Sequence, residues 1–277
     1  MSDAIRLFVG TDCNNCDLES QAVLEYSVRK HASEPVDITW MRVSKDGPWS
    51  GWQTGSARTP FTHFRWSIPD VCGYKGRAIY TDSDFLFRAD IAELWRQPIP
   101  GVLLAKTKNG KLGNSSCMVI DCARAKGHIP TVDELRAQSD AHSTVERYFK
   151  DRVGLATSFD GDWNCVDLDS KPGREHRDIA DPRIKAIHYS RIEGQLQLKH
   201  AIPRLKAEGR AHWYPDADKA EARIRQTGSA HWIPELQALF DQLLEEATAA
   251  GFDIERYRVD PHGAFSKRAF VYQHSKL

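Results

Sequence analysis

The chain opens with an apolar segment, an amphipathic segment and a second apolar segment. Residues 5–10 combine β-formers with a closing glycine, and polar Thr11 and Asp12 follow, which is typical of a strand that ends in a loop. In residues 17–31 apolar side chains recur every three or four positions, which predicts a helix. Residues 36–41 predict the next strand. This β-α-β order favours a parallel sheet with helices on its faces.

The same alternation continues through the middle of the chain. Apolar side chains at helical spacing cover residues 61–69, and residues 77–80 predict a strand that runs into an acidic segment. A helix is expected near residues 90–95, followed by strands at 102–105 and 116–121. These last two strands flank an Asn-Gly pair, which indicates a hairpin.

The later segments are less regular. Residues 133–150 predict a helix, residues 154–182 are rich in Asp and Gly and predict irregular structure, and residues 184–188 predict a short strand. Beyond about residue 210, residues 235–250 form an amphipathic pattern. We therefore expect an α/β core with a Rossmann-like, mostly parallel sheet over residues 1–210, and a helical extension over residues 211–277.

Residues 44–60 are rich in glycine and proline, and their composition predicts a loop over a site. Trp40, Trp49 and Trp52 lie in or beside this loop. Aromatic side chains there can stack on a sugar or pack within the loop, and the sequence leaves both interpretations open.

Composition excludes several classes of protein. The 277 residues contain 38 Lys+Arg and 38 Asp+Glu, and this zero net charge argues against nucleic acid as the main partner. No apolar run approaches the roughly 20 residues that a membrane-spanning helix needs. The basic tail at residues 267–277 leaves peripheral contact with anionic lipid open, although its charges are sparse.

The cysteines and the N-terminus favour a cytoplasmic protein. Six cysteines are few for this length, and the first residues lack the order of a secretory signal. Cys13 and Cys16 have C-x-x-C spacing, but no second pair with zinc-site spacing follows, which argues against a redox or zinc role.

Asp82, Ser83 and Asp84 form a D-x-D segment at the end of a predicted strand. In an extended chain, side chains at i and i+2 point to the same side, so both carboxylates can reach one divalent cation. The alternative is an acidic turn, because Asp and Ser favour turns.

The segment from residue 61 to residue 95 resembles glycosyltransferase family 8, whose enzymes have the GT-A fold. Arg65 precedes I-P-D, the strand reads R-A-I-Y-T-D-S-D over residues 77–84, and A-D-I-A-E-L-W follows over residues 89–95. The family pattern is an arginine-bearing helix, a strand ending in Y-L-D-A-D and a D-L-x-E-L-W helix. The order of these features is the same in both.

Further segments extend the resemblance to about residues 5–205. F-V-G-T-D over residues 8–12 is similar to the family's first strand and uridine-contacting loop, and N-S-S-C-M-V-I-D over residues 114–121 is similar to its F-N-S-G-V-L-L-I-D segment. D-G-D-W-N over residues 160–164 resembles L-P-x-x-W-N. The resemblance implies that the nucleotide-sugar contacts come from Thr11, Asp12, Arg65, Asp82, Ser83, Asn114, Ser115, Asp162, Trp163, Asn164 and Lys199.

K-A-I-H-Y-S over residues 185–190 resembles the strand that delivers a histidine to the family's metal ion. The resemblance implies that Asp82, Asp84 and His188 hold the cation. Mixed carboxylate and imidazole ligands favour manganese, with magnesium as the alternative. For His188 taken alone, a buried structural histidine is the competing interpretation.

Two positions depart from the family pattern. Arg191 and Gly194 stand where the family has a glycine and a lysine, so the family's phosphate-binding lysine has no direct counterpart. Lys199, eleven residues after His188, is a candidate to reach a phosphate from the following segment. No Asp-Gln-Asp triplet occurs between Asp121 and His188, although family members often carry one beside the sugar. No catalytic residue is therefore assigned.

The resemblance implies a metal-dependent hexosyltransferase that uses a UDP-sugar with retention of configuration. A GDP-sugar donor is a narrower alternative. Two other classes stay open: a nucleotide-sugar-binding protein with little transfer activity, and a structural or partner-binding domain. The sequence names neither the sugar nor the acceptor, which is a glycan, a lipid, a protein or a small molecule.

Overall fold

A computed structural model describes residues 4–52, 59–210 and 217–259. Its strands are β1 Ile5–Gly10, β2 Val36–Met41, β3 Arg77–Asp82, β4 Phe85–Phe87, β5 Leu103–Lys108, β6 Lys111–Asp121, β7 Ala156–Thr157, β8 Cys165–Val166 and β9 Ala186–His188. Its α-helices are α1 Leu18–His31, α2 Ile68–Val71, α3 Ile91–Trp95, α4 Cys122–Ala125, α5 Val132–Arg136, α6 Ala141–Lys150, α7 Leu198–Ala207, α8 Ala217–Thr227 and α9 Pro234–Ala249.

The chain divides into two compact units, each made of several segments. The first contains the described parts of Met1–Asp12, Ala32–Asp82 and Asp90–Asp160. The second contains those of Cys13–His31, Ser83–Ala89 and Gly161–Leu277. The predicted boundary near residue 210 stays a prediction.

A six-stranded sheet in the order β2-β1-β3-β6-β5-β7 forms the centre of the first unit. The β1 strand pairs in parallel with β2 and β3, and β5 pairs in parallel with β7, whereas β6 is antiparallel to both of its neighbours. The prediction of a mixed α/β fold with a mostly parallel sheet is confirmed. The antiparallel direction of β6 follows from its tight connection to β5.

The predicted hairpin joins β5 and β6 through Asn109 and Gly110. Their φ angles are 54° and 71°, so both central residues are left-handed. A two-residue turn of this kind matches the twist of the two flanking strands, and Asn-Gly is the pair that adopts it at least cost.

The prediction of one continuous helix over residues 133–150 is wrong. The structure has α5, which begins with a capping box between Thr131 and Glu134, and then a separate α6. Asp140 starts α6 because its side chain accepts a hydrogen bond from the Ser143 backbone N–H. The helical segment over residues 61–69 likewise divides into a 3₁₀ helix, Pro60–Ser67, and the short α2.

A small sheet in the order β4-β9-β8 and four helices, α1, α7, α8 and α9, form the second unit. Its larger core cluster joins apolar side chains of α1, this sheet and α9. The predicted helix at residues 235–250 is confirmed as α9. Helix α7 is not among the predicted elements, and α8 falls within the extension predicted to be helical but has no predicted bounds of its own. Pro203 lies inside α7, and α8 carries few apolar side chains, so neither sequence shows a strong helical pattern.

Within the part of the chain that the structure describes, no helix has the length and apolar character needed to cross a membrane. The basic tail over residues 267–277 lies outside the described residues, as do residues 53–58 of the loop expected over a site.

Gly10, at the end of β1, gives a stability prediction. A Cβ atom there would lie 2.6 Å from both Phe61 Cδ2 and Tyr80 Oη. We expect Gly10→Ala to lower the free energy of unfolding, measured in urea, by about 1–3 kcal/mol because of this overpacking. Gly173→Ala is the control, since its Cβ meets nothing within 4 Å and only its positive φ adds a cost. Equal losses in the two variants would contradict the steric argument.

Candidate functional site

Asp82 is the last residue of β3, where its carboxylate is held by two side chains of the first unit. Arg65 Nη2 lies 3.0 Å from Asp82 Oδ1, and the Tyr80 hydroxyl donates to the same oxygen. The Asp82 side chain is 12% exposed, so this ion pair is largely shielded from water. A carboxylate held from two directions has a defined orientation at the end of the strand.

Arg65 is buried, with a side-chain exposure of 4%, and it does not project from the helix surface into solvent. Its Nη1 donates to the Ser115 carbonyl oxygen at 2.8 Å and to Ser115 Oγ at 3.2 Å. Its guanidinium carbon also lies 4.7 Å from the centre of the Tyr80 ring. These contacts on several sides fix the planar fork toward Asp82.

A histidine and glutamate network that the sequence did not reveal continues from Ser115. Ser115 Oγ donates to Glu146 Oε1 at 3.2 Å, and His142 Nε2 lies 3.7 Å from the same oxygen. Trp66 Nε1 donates to His142 Nδ1 at 3.1 Å. His142 and Glu146 are four residues apart on α6, which places them on one helix face, but only the fold shows that this face meets Ser115.

Burial controls the protonation of this network. The pKa of His142 is lowered to about 4, first because burial disfavours the charged ring and then because Arg65 repels it. Burial acts to raise the pKa of Glu146, yet that pKa is lowered because Lys150 and other donors stabilise the carboxylate. At neutral pH the network therefore holds a neutral His142 beside an ionised Glu146.

In the second unit, His188 and Asp84 lie side by side. Phe85 pairs with His188 between β4 and β9, and the two rings stack with centroids 4.4 Å apart. His188 Nε2 lies 3.3 Å from Asp84 Oδ1, and His188 Nδ1 lies 3.1 Å from Asn164 Oδ1. With its proton on Nδ1, the ring donates to Asn164 Oδ1 and leaves Nε2 as an acceptor beside the carboxylate, where one cation would serve both atoms.

Asp84 links the two other predicted metal ligands: His188 lies beside it in the second unit, and Asp82 precedes it by two residues in the chain. Asp82 and Asp84 are separated in the chain by Ser83 alone, whose hydroxyl donates to Asp17 Oδ2 at 2.7 Å. Two carboxylates and one imidazole make up a donor set that suits a divalent cation.

A second group of metal-ligating types, Asp162, Cys165 and Asp169, is already served by Arg177. Arg177 Nη1 lies 2.5 Å from Asp162 Oδ2 and 3.0 Å from Asp169 Oδ2. Since the guanidinium supplies the positive charge that these acids need, this cluster is an ion-pair network in the structure.

The remaining predicted donor-binding residues occupy several places. In the first unit Thr11 and Asp12 follow β1 and are buried, and Asn114 lies on β6. In the second unit Trp163 and Asn164 are fully buried. The structure therefore groups Arg65, Asp82 and Ser115 in one unit and Asp84, Asn164 and His188 in the other.

Lys199 and the loop tryptophans show other contacts. Lys199 Nζ lies 2.6 Å from Asp241 Oδ2. Trp52 Nε1 donates to the Pro48 carbonyl oxygen at 2.7 Å, and the Trp52 ring meets Phe64 edge-on at 5.2 Å. This favours the packed-loop interpretation for Trp52. The six cysteines all lie within the described residues, and none of them, Cys13 and Cys16 included, forms a disulfide.

We compared the chain with known protein families and sequences. No protein-family model matches the chain. "Protein CDI" of Arabidopsis thaliana is 38% identical over 92 residues, which are 32% of this chain and 35% of that protein. The alignment thus spans about a third of that relative's length.

Solved structures of glycosyltransferases resemble a larger share of the chain. Galactosyltransferase LgtC, solved with donor and acceptor sugar analogues, is similar with a TM-score of 0.50 at 12% identity, over 87% of this chain and 96% of LgtC. The bifunctional glycosyltransferase WbbM is similar with a TM-score of 0.50 at 14% identity, over 69% of this chain and 46% of WbbM. The chain has the mixed α/β fold of these GT-A glycosyltransferases.

The low pKa of His142 predicts a pH dependence of stability. At pH values between the ordinary histidine pKa and about 4, His142 is protonated in the unfolded chain but neutral in the folded protein. The free energy of unfolding therefore decreases as the pH falls through this range. The stability advantage of wild type over His142→Gln should therefore shrink by about 2 kcal/mol between pH 7 and pH 4.5 in urea unfolding.

His176→Gln replaces an exposed histidine and is the matched control, which should keep the wild-type pH dependence. A constant difference between wild type and His142→Gln across this range would show that His142 is not held neutral in the folded protein.

Proposed function

We propose that this protein is a metal-dependent glycosyltransferase that moves a hexose from a UDP-sugar to an acceptor. The observation that carries the proposal is the pairing of His188 with Asp84, at 3.3 Å from Nε2 to Oδ1, in the D-x-D segment that begins with Asp82 at the end of β3. The fold resemblance to glycosyltransferases supports the same reading.

The donor set fits a divalent cation on chemical grounds. Asp82 and Asp84 bring two negative charges to neighbouring positions, and His188 directs an imidazole nitrogen at Asp84 from 3.3 Å. A cation converts this mutual repulsion of acceptors into attraction. We propose manganese because imidazole joins the carboxylates, with magnesium as the alternative.

The ion, when bound, neutralises the diphosphate of the donor and stabilises the nucleoside diphosphate as it leaves. The residues of the chain orient the site. Arg65 and Tyr80 hold the Asp82 carboxylate. We assign to Asn164 the role of accepting from His188 Nδ1–H, which leaves Nε2 for the cation. This orientation is in place before a ligand arrives, so less ordering is needed on binding.

The donor-binding assignment is part of the proposal and follows the family resemblance. Lys199 Nζ lies 2.6 Å from Asp241 Oδ2, so a phosphate at this ammonium would share it with that carboxylate or replace it. We assign the nucleotide-sugar contacts to Thr11, Asp12, Arg65, Asp82, Ser83, Asn114, Ser115, Asp162, Trp163, Asn164 and Lys199.

Membership of family 8, retention of configuration and the choice of UDP over GDP belong to the same proposal, because each rests on the motifs quoted above. No side chain is assigned as nucleophile or base. A cytoplasmic location stays a prediction from the composition, and the sugar and the acceptor are left open.

Asp84→Asn and Asp82→Asn test the metal role. Each removes one negative charge from the donor set at nearly constant volume, and we expect manganese-dependent UDP binding to weaken by at least tenfold. Turnover of a UDP-hexose should fall by at least a hundredfold, because charge stabilisation of the leaving group is lost. Isothermal titration calorimetry and a UDP-release assay measure the two effects.

Asp133→Asn is the control, since its side chain is 91% exposed and pairs only with Arg136 among the contacts of the described residues. Wild-type binding in Asp84→Asn would contradict the metal role. UDP-sugar binding without transfer or hydrolysis in the wild-type protein would favour a binding protein. Absence of any manganese-dependent UDP binding would favour a structural domain.

Asn164 gives a separate prediction about the tautomer of His188. Asn164→Ala removes the oxygen that faces His188 Nδ1 at 3.1 Å, so we expect the manganese dissociation constant to rise about 10- to 100-fold. Asn164→Asp keeps an acceptor there and should restore most of the affinity. Equal manganese affinity in Asn164→Ala and wild type would show that His188 needs no such partner.

A further inference from the structure

A cavity of about 460 Å³ lies in the first unit at the end of the sheet where β1 and β3 begin. Its lining includes Arg6, Lys75, Gly76, Arg77, Trp95 and Asp121. Asp82 is the last residue of β3 and therefore lies at the opposite end of the strands. The cavity is therefore distinct from the proposed metal site.

Two arginines of this cavity are oriented by neutral groups. Arg6 donates through Nε to the Arg77 carbonyl oxygen at 2.9 Å and through Nη2 to the Lys75 carbonyl oxygen at 2.7 Å. Arg77 Nη1 donates to the carbonyl oxygens of Trp95 at 2.5 Å and Gln97 at 3.0 Å. Backbone carbonyls fix the two guanidinium groups in place, and among the described residues neither group forms an ion pair, although Asp121 lies opposite Arg77 in the β3–β6 register.

The carboxylate in the lining, Asp121, already contacts another residue. Asp121 accepts from the Arg124 backbone N–H at 3.0 Å and pairs with Arg124 Nε at 3.4 Å. Across residues 4–52, 59–210 and 217–259, no carboxylate forms an ion pair with Arg6, Lys75 or Arg77. Three positive charges on one concavity repel one another, and a bound anion relieves that repulsion.

Gly76 shows that the position of Arg6 depends on a local gap. A Cβ atom at Gly76 would lie 2.9 Å from Arg6 Nη2, and its φ of +63° is in the left-handed region. Glycine is the residue that both leaves room for the guanidinium and adopts this φ without cost.

We propose that this cavity binds the phosphate group of a small phosphate monoester. Arginine forks match phosphate oxygens, and Lys75 adds a mobile third charge at the rim. Trp95, whose ring centre lies 5.8 Å from the Arg77 guanidinium carbon, supplies an apolar wall for the organic part of the ligand. The volume lies within the range of small-molecule sites.

Calorimetric titration of the full chain at low ionic strength tests the proposal, with glycerol 3-phosphate and inorganic phosphate as probes and glycerol as the uncharged reference. Lys75→Glu reverses an exposed charge of the cavity, and Lys108→Glu makes the same change on β5 outside the lining. We expect glycerol 3-phosphate affinity to fall at least tenfold in Lys75→Glu and to match wild type in Lys108→Glu.

Arg6→Gln should weaken binding similarly, and Lys75→Glu keeps the test valid if Arg6→Gln fails to fold. Tighter binding of glycerol 3-phosphate than of inorganic phosphate supports a monoester, whereas equal affinities assign the site to free phosphate. The absence of binding at about 10 mM of either probe, or equal affinities in Lys75→Glu and Lys108→Glu, would overturn the proposal. Manganese-dependent UDP binding, measured on the same variants, should stay at the wild-type level, so failure of one proposal is separable from failure of the other.

Discussion

Repulsion between negative charges at the end of β3 is the constraint on which the candidate site depends. Asp82 and Asp84 are two residues apart, and His188 directs a second kind of acceptor toward Asp84. The structure supplies one compensating charge within the first unit, where buried Arg65 lies 3.0 Å from Asp82. A breakdown of such a buried pair is costly, because a carboxylate is left without its partner. The other charge is the one that we assign to a bound cation.

The need to hold these acceptors close together explains why several neighbouring side chains fix the orientation of the candidate metal ligands. Tyr80 contacts both members of the Arg65–Asp82 pair, through its hydroxyl on one side and its ring face on the other. Ser115 links Arg65 to Glu146, whose own charge is supported by Lys150. In the second unit Asn164 contacts His188 Nδ1 and fixes the orientation of the ring. Each acceptor that would bind a metal has a partner that fixes its direction, as in metal sites whose outer contacts tune affinity.

Local sequence patterns predicted the elements whose signals are contained in a few residues. Strand β1 follows from its β-forming residues and closing glycine, and β2 follows from its alternation. The hairpin after β5 follows from Asn109 and Gly110, which both adopt a left-handed φ. The D-x-D segment was visible for the same reason. Helix α7 was missed because Pro203 interrupts its pattern, and the break before α6 depends on one cap, Asp140.

Long-range contacts account for what the sequence did not show. Nothing near Arg65 in the chain indicates that Ser115 will meet it, or that His142 and Glu146 on α6 will continue the network. The burial of Arg65 and the ion pair of Arg177 with Asp162 likewise arise only after distant segments pack together. The anion-binding cavity has the same origin, since its cations come from β1, β3 and the residues just before β3.

Pulsed electron paramagnetic resonance of manganese bound to the protein is the sharpest test of the proposed metal site. Electron spin-echo modulation detects the nitrogen of a coordinated imidazole. Coordination by His188 predicts a nitrogen signal in the wild-type protein that disappears in His188→Gln and persists in His200→Gln, whose ring pairs with Asp241. A manganese spectrum without nitrogen modulation in the wild type, or one unchanged in His188→Gln, would contradict it.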